Sequence, residues 1–302
     1  MTDYKFDDLV ETIARRVTEK LKEFSSDLKP AFETAGCGKF DSDCSHCGHC
    51  ISKKPQTINN IVKFGATRIS TNPGISGHFD EKLAHMIDHT ILKPEVTRDD
   101  LLKVCEEAKK YHFATVCVNS SNIPFVTRQL KGSDVKPIAV VGFPLGAGTP
   151  QAKAFEAKEA IRDGAEEIDM VINIGELKSK DYKAVYDDIR QVVEASKPHK
   201  VKVILETSSL DHDEKVIACA LSKTAGAAFV KTSTGFAKGG ATVEDIELMR
   251  RIVGNDMEVK ASGGIRSKED AEAMIKAGAN RIGASASVAI VTGEKPKKVS
   301  SY

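Results

Sequence analysis

The chain has 302 residues, 41% of them apolar, and its 44 basic and 43 acidic side chains leave a net charge of +1. That length suits one large α/β domain with an appendage, or two domains, and the balanced charge offers no electrostatic footprint for nucleic acid or an anionic membrane. No run approaches the roughly 20 apolar residues of a membrane span, and the first residues lack the apolar core of a secretory signal. A cytoplasmic protein that acts on a small molecule is expected, with neither nucleic acid nor membrane as partner.

Residues 1–24 read as one amphipathic helix. Phe6, Leu9, Val10, Ile13, Val17, Leu21 and Phe24 recur at three- and four-residue steps and draw one apolar stripe, with Lys5, Asp8, Glu11, Arg15, Thr18 and Lys22 on the remaining surface. Such a stripe is buried either against the chain's own globular part or a dimer partner, or in the groove of another protein. The acids at Asp3, Asp7, Asp8, Glu11, Glu19 and Glu23 argue against a mitochondrial transit peptide. Residues 25–82 are irregular and hold Cys37, Cys44, Cys47 and Cys50, spaced Cys-x6-Cys-x2-Cys-x2-Cys with His46 and His49 among them. Four thiols in a short polar loop suit a structural, non-catalytic zinc ion or iron–sulfur cluster; the alternative is a reduced, redox-sensitive loop without metal. A Gly/Pro/Asn/Ser-rich linker closes this part. Cys105, Cys117 and Cys219 fall instead in regular apolar segments, as buried thiols of a reducing compartment would.

From residue 83 to 293 the pattern changes to an alternation of strands and helices. Short apolar runs occupy 85–92, 115–119, 136–143, 167–173, 200–206, 227–232, 257–261 and 280–285. Between them, segments of helical period cover 98–111, 151–163, 181–196, 213–225, 242–253 and 267–277, and four of these end at Gly164, Gly226, Gly254 and Gly278. Near-continuous apolar strands joined by helices indicate a parallel sheet with helices on its outside. Eight units predict a closed (β/α)₈ barrel, with residues 294–302 as a tail. The competing open doubly wound sheet lacks its Gly-x-Gly-x-x-Gly turn after the first strand.

Chemistry in such a barrel sits at the carboxyl ends of the strands. Asp88 and Thr90 end the first apolar run, Cys117 and Asn119 the second, Asp169 and Asn173 the fourth, and Glu206 the fifth, while Lys231 and Lys260 end the sixth and seventh. A lysine at a buried strand end either snorkels out, pairs with a carboxylate, or loses its proton. Two of them on neighbouring strands favour the last reading, because each ammonium disfavours the other, and a neutral lysine can form a Schiff base with a carbonyl. Asp169 is the carboxylate best placed for proton transfer; its other reading is a salt bridge that neutralises a lysine. The turns Ser262-Gly263-Gly264 and Gly283-Ala284-Ser285 follow the last two strands, where barrels commonly bind phosphate.

The motifs Ile-Asp-His-Thr-Ile-Leu-Lys-Pro at 87–94, Val-Cys-Val-Asn at 116–119, Glu-Ile-Asp-Met-Val-Ile-Asn-Ile-Gly at 167–175, Phe-Val-Lys-Thr-Ser-Thr-Gly-Phe at 229–236 and Val-Lys-Ala-Ser-Gly-Gly-Ile-Arg at 259–266 together resemble deoxyribose-phosphate aldolase. The resemblance runs over about residues 83–293 and leaves out 1–82. It implies a class I aldolase that reversibly cleaves 2-deoxy-D-ribose 5-phosphate to acetaldehyde and D-glyceraldehyde 3-phosphate, with no cofactor for catalysis. It implies Lys231 as the Schiff-base lysine, Lys260 as the lysine that lowers its pKa, and Asp169 as the acid/base acting with a bound water. Gly235, Gly263, Gly264, Gly283 and Ser285 would hold the phosphate and Cys117 would line the site, with Asp88, Thr90 and Thr234 completing the substrate contacts. A homodimer is expected.

Four positions depart from the family pattern. Phe236 stands where some members carry a lysine near the phosphate, Ala286 where some carry a second serine, and Ser208-Ser209 interrupt a segment that is usually more apolar. They bear on phosphate affinity and leave Lys231, Lys260 and Asp169 untouched. Two other functions remain: a phosphate-binding barrel lyase that uses a lysine imine on another aldehyde or keto substrate, and a non-enzymatic scaffold presenting the cysteine module, against which the three intact polar residues argue. The stripe over 1–24 is similar to encapsulation peptides that carry enzymes into bacterial microcompartments, which makes a shell protein a candidate partner for an enzyme releasing acetaldehyde.

Overall fold

The computed structural model describes residues 79–293. The helix expected over 1–24, the cysteines at 37, 44, 47 and 50, and the tail 294–302 lie outside these residues. Eight parallel strands close into a barrel in strict chain order: β1 (Ile87–Thr90), β2 (Thr115–Asn119), β3 (Lys136–Val141), β4 (Glu167–Val171), β5 (Lys200–Ile204), β6 (Phe229–Lys231), β7 (Glu258–Ser262) and β8 (Arg281–Ala284). Closure is made by β1 on β8, where His89 is in register with Ala284.

Helices on the outside follow the strands. The expected helices are present at Arg98–Tyr111, Pro150–Arg162, Tyr182–Ser196, His212–Thr224, Val243–Val253 and Lys268–Lys276. Their starts are set by local chemistry: Thr97, Asp211 and Ser267 each accept from the backbone three residues on, and Asp100, Glu214 and Asp270 return the bond. Four short helices, Glu81–Ala84, Ile123–Leu130, Ile174–Lys178 and Ser287–Thr292, are not among those expected, because four to eight residues carry too few turns to show a period. Among the described residues no helix is long and apolar enough to cross a membrane.

Alternation along each strand sorts the side chains into two cores. Ile168, Met170, Val201, Val203, Val230, Val259, Ala261 and Ile282 join the large apolar core beneath the helices. The intervening residues face the barrel axis. On β2 and β3 these form a separate small cluster, Cys117, Ile138 and Val140 with Leu92 and Phe143. On the remaining strands they include a charged set, Asp88, Glu167, Asp169, Lys202, Lys231, Lys260 and Arg281, of which all but Arg281 are buried.

Candidate active site

Two residues expected at strand ends lie further in. Asp169 is the middle residue of β4 and Lys260 the middle residue of β7, whereas Lys231 is the last residue of β6. Lys231 and Lys260 are register partners on adjacent strands, so their ammonium groups enter the barrel side by side. Both reach the same atom: Asp169 Oδ2 accepts from Lys231 Nζ at 2.9 Å and from Lys260 Nζ at 2.7 Å.

The cluster is larger than the sequence suggested. Lys202, on β5 in register with Asp169, donates to Asp169 Oδ1 at 2.9 Å and also to Glu167 Oε2. Lys260 also pairs with Asp88, whose other oxygen accepts from Arg281 at 2.7 Å and from Thr115 Oγ1 at 2.8 Å. Lys202, Glu167 and Arg281 were missed, although period-2 alternation carries their signal: Glu167 is two residues before Asp169, Lys202 is the inward residue of Lys-Val-Lys-Val, and Arg281 is two before Gly283.

Three carboxylates therefore face four cations, and the surplus positive charge must fall on one group. It falls on Lys231. Burial pushes its pKa down, Lys260 pushes it further, and Asp169 opposes only in part. Lys260 and Lys202 are also buried, but Asp169 and Asp88 outweigh that burial and hold both above the ordinary lysine range. Asp169 is held well below the usual carboxylate range against its own burial, through Lys202, Lys231 and Lys260. Three committed cations and one poised amine are what imine formation requires.

Space is as constrained as charge. Gly283 of β8 lies against the Lys260 stem, and a Cβ there would stand 2.9 Å from Ser262 Cβ and 3.0 Å from Lys260 Cε. Cys117 completes the interior beside the lysines, its thiol pushed up to about 11 by burial and then by Asp169, so it is protonated at neutral pH.

The remaining expected residues lie around the mouth. Gly263 takes φ +86°, and Gly240 rests directly on its carbonyl, where a Cβ would come within 2.4 Å of Gly263 O. This contact, with Ala241 N donating to Gly263 O at 3.0 Å, ties the loop after β6 to the turn after β7. Gly235 and Gly264 also take positive φ, and Ser285 is half-buried just past β8. Thr234 is buried with its amide and hydroxyl both given to Glu206, so it shapes the loop from within. Thr90 donates to the Asp88 carbonyl, Asn119 holds the Leu92 carbonyl, and Asn173 caps the helix Ile174–Lys178. Phe236 meets Phe143 edge-on, ring centres 5.2 Å apart, which joins the small apolar cluster to the loop after β6. Among the described residues no group of three or more His, Cys, Asp or Glu side chains is arranged to hold a metal ion.

Comparison with known proteins follows the same boundaries as the barrel. The family model described as DeoC/LacD family aldolase matches residues 82–293. The chain is 61% identical over 215 residues to a deoxyribose-phosphate aldolase of Clostridium perfringens, covering 71% of this chain and 96% of that one. It is 62% identical over 214 residues to the deoxyribose-phosphate aldolase of Streptococcus sanguinis, covering 71% and 97%. Among solved structures it is similar to the tetrameric deoxyribose phosphate aldolase of Aeropyrum pernix, at 34% identity and a TM-score of 0.66, over 70% of this chain and 89% of that one.

Proposed function

This chain belongs to the DeoC/LacD family of aldolases, and we propose from that premise that it cleaves 2-deoxy-D-ribose 5-phosphate reversibly to acetaldehyde and D-glyceraldehyde 3-phosphate. The observation that carries the mechanism is the shared carboxylate oxygen of Asp169 between Lys231 and Lys260. Lys231, having given up the surplus proton, adds as the neutral amine to C1 of the open-chain sugar, and protonation of the carbinol with loss of water leaves an iminium. The proton on the C3 hydroxyl is then removed and the C2–C3 bond breaks. Its electron pair passes through C1 to the nitrogen, releasing glyceraldehyde 3-phosphate and leaving an enamine. Protonation at C2 and addition of water release acetaldehyde and restore Lys231. Asp169 moves the protons with a bound water, a contribution typically worth about 10² to 10⁴ in rate, while Lys260 and Lys202 keep it ionised.

The phosphate is held by the turns after β6, β7 and β8, with Gly235, Gly263, Gly264, Gly283 and Ser285 giving backbone access and Cys117, Asp88, Thr90 and Thr234 forming the wall and floor. Support comes from the inter-loop contact of Gly240 with Gly263, which holds two of these turns together. The test is borohydride reduction in the presence of acetaldehyde, followed by peptide mass spectrometry. A two-carbon adduct on Lys231 is expected; an adduct on another lysine, or none, refutes the assignment.

For the residues outside the barrel, the sequence alone supports the reading. We propose that residues 1–24 recruit the enzyme to a microcompartment shell, docking on the barrel or a dimer partner being the alternative, that Cys37, Cys44, Cys47 and Cys50 hold zinc or an iron–sulfur cluster apart from the chemistry rather than form a metal-free redox-sensitive loop, that 25–82 serve as module and linker, and that the enzyme is a cytoplasmic homodimer. Metal and sulfide analysis of anaerobically purified protein, with Cys44 and Cys47 replaced as control, tests the cluster. Light scattering tests the dimer, and diffuse fluorescence of a 1–24 fusion in cells with shells would refute recruitment.

A further inference from the structure

His89 sits on the outward face of β1, one residue past Asp88, buried beneath the helices and unused by the chemistry above. Its Nδ1 is 2.9 Å from Ser287 Oγ and its Nε2 is 2.9 Å from Glu107 Oε2. Ser287 Oγ is also 2.9 Å from the Ala284 carbonyl. A hydroxyl has one hydrogen, and a carbonyl can only accept, so the Ser287 hydrogen goes to Ala284 and its oxygen must accept from His89. The Glu107 carboxylate accepts as well; its pKa is lowered against burial by the bond to His89 and the charges around it. Both imidazole nitrogens then face acceptors.

The chain of bonds ends in a particular place. Ala284 is the last residue of β8 and the register partner of His89, and Ser287 opens the next helix, so the linked residues bracket the turn Ser285-Ala286. Helix Ser287–Thr292 brings no titratable side chain to His89, and Phe113 covers it with ring centres 5.0 Å apart. Glu107, with Lys103 4.0 Å from its other oxygen, is the charged contact.

We propose that His89, donating from Nδ1 to Ser287, is a positioning residue that fixes the turn after β8 and thereby sets the affinity for the substrate's phosphate. This rests on the reading that the phosphate lies on that turn. Removing the link frees the turn while leaving Lys231, Lys260 and Asp169 in place.

The experiment compares full-length wild type with Ser287→Ala, His89→Gln and His89→Asn, on 2-deoxyribose 5-phosphate and on unphosphorylated 2-deoxyribose, with inorganic phosphate as inhibitor. Ser287→Ala and His89→Gln are expected to raise KM for the phosphorylated sugar and the inhibition constant of phosphate together by about tenfold, with kcat within about twofold and the unphosphorylated reaction unchanged. His89→Asn, whose amide nitrogen stands near the place of Nδ1, restores most of the affinity. Nitrogen-15 spectra should show a proton on His89 Nδ1. An Nδ1 without a proton, or equal losses on both sugars, overturns the proposal, as does an unchanged phosphate inhibition constant in Ser287→Ala. If phosphate does not inhibit wild type and both sugars react alike, it is the placement of phosphate on this turn that has failed, and the positioning role fails with it.

Discussion

Lys260→Met removes one of the four cations from the barrel interior and keeps most of the stem that packs against Gly283. Without it, three carboxylates face Lys202, Lys231 and Arg281, the charge balances, and Lys231 no longer has reason to give up its proton. Because both lysine nitrogens bond Asp169 Oδ2, at 2.9 and 2.7 Å, they are within reach of strong mutual repulsion. Two unit charges about 5 Å apart at an effective dielectric of about 20 repel by about 3 kcal/mol, which is about a hundredfold in the neutral fraction of Lys231 at fixed pH. The direction follows from the sign: Lys231 has a lowered pKa, its neutral form gains as pH rises, and loss of the neighbour moves that rise to higher pH. The assay is the rate of borohydride-trapped acetaldehyde adduct against pH, with circular dichroism to confirm folding. At neutral pH the rate should fall by about a hundredfold and recover as the solution is made alkaline. A folded variant that keeps the wild-type rate, or one whose loss does not recover, refutes the charge-balance account.

Three further outcomes follow from the same cluster. Lys231→Met should abolish adduct formation yet stabilise the fold by about 1–2 kcal/mol in denaturant titration. The wild-type ammonium is disfavoured below its lowered folded pKa, so this gain should be largest there and should fade as pH rises through the unfolded value of about 10.4. Lys202→Met leaves Glu167 and one oxygen of Asp169 without their buried cation and should cost about 3–5 kcal/mol of stability in the same titration. Gly283→Ala introduces a Cβ against Ser262 and the Lys260 stem; it should cost about 1–3 kcal/mol and reproduce part of the alkaline-recoverable loss expected of Lys260→Met, and a fully active variant would show that Lys260 is not held by that contact.

The sequence by itself determined the order of the eight strands and the six longer helices. Eight apolar, β-branched runs and helical periods ended by glycines are written in residues within a few positions of one another, so local pattern was enough to find them. It also singled out Lys231, Lys260 and Asp169, because charged residues interrupt apolar strands there. Most strand limits were read too long, since apolar residues continue into buried loops after the ladder ends, whereas β7 runs one residue further, to Ser262, and Asp169 and Lys260 lie mid-strand. Closure was beyond local pattern. Only the pairing of β1 with β8 brings Asp88 to Lys260, and only the assembled interior gathers Glu167, Lys202 and Arg281 into the same cluster. Which lysine loses its proton is decided by the sum of charges from β1, β4, β5, β6, β7 and β8 acting together where water does not screen them, and that sum exists only once the barrel has closed.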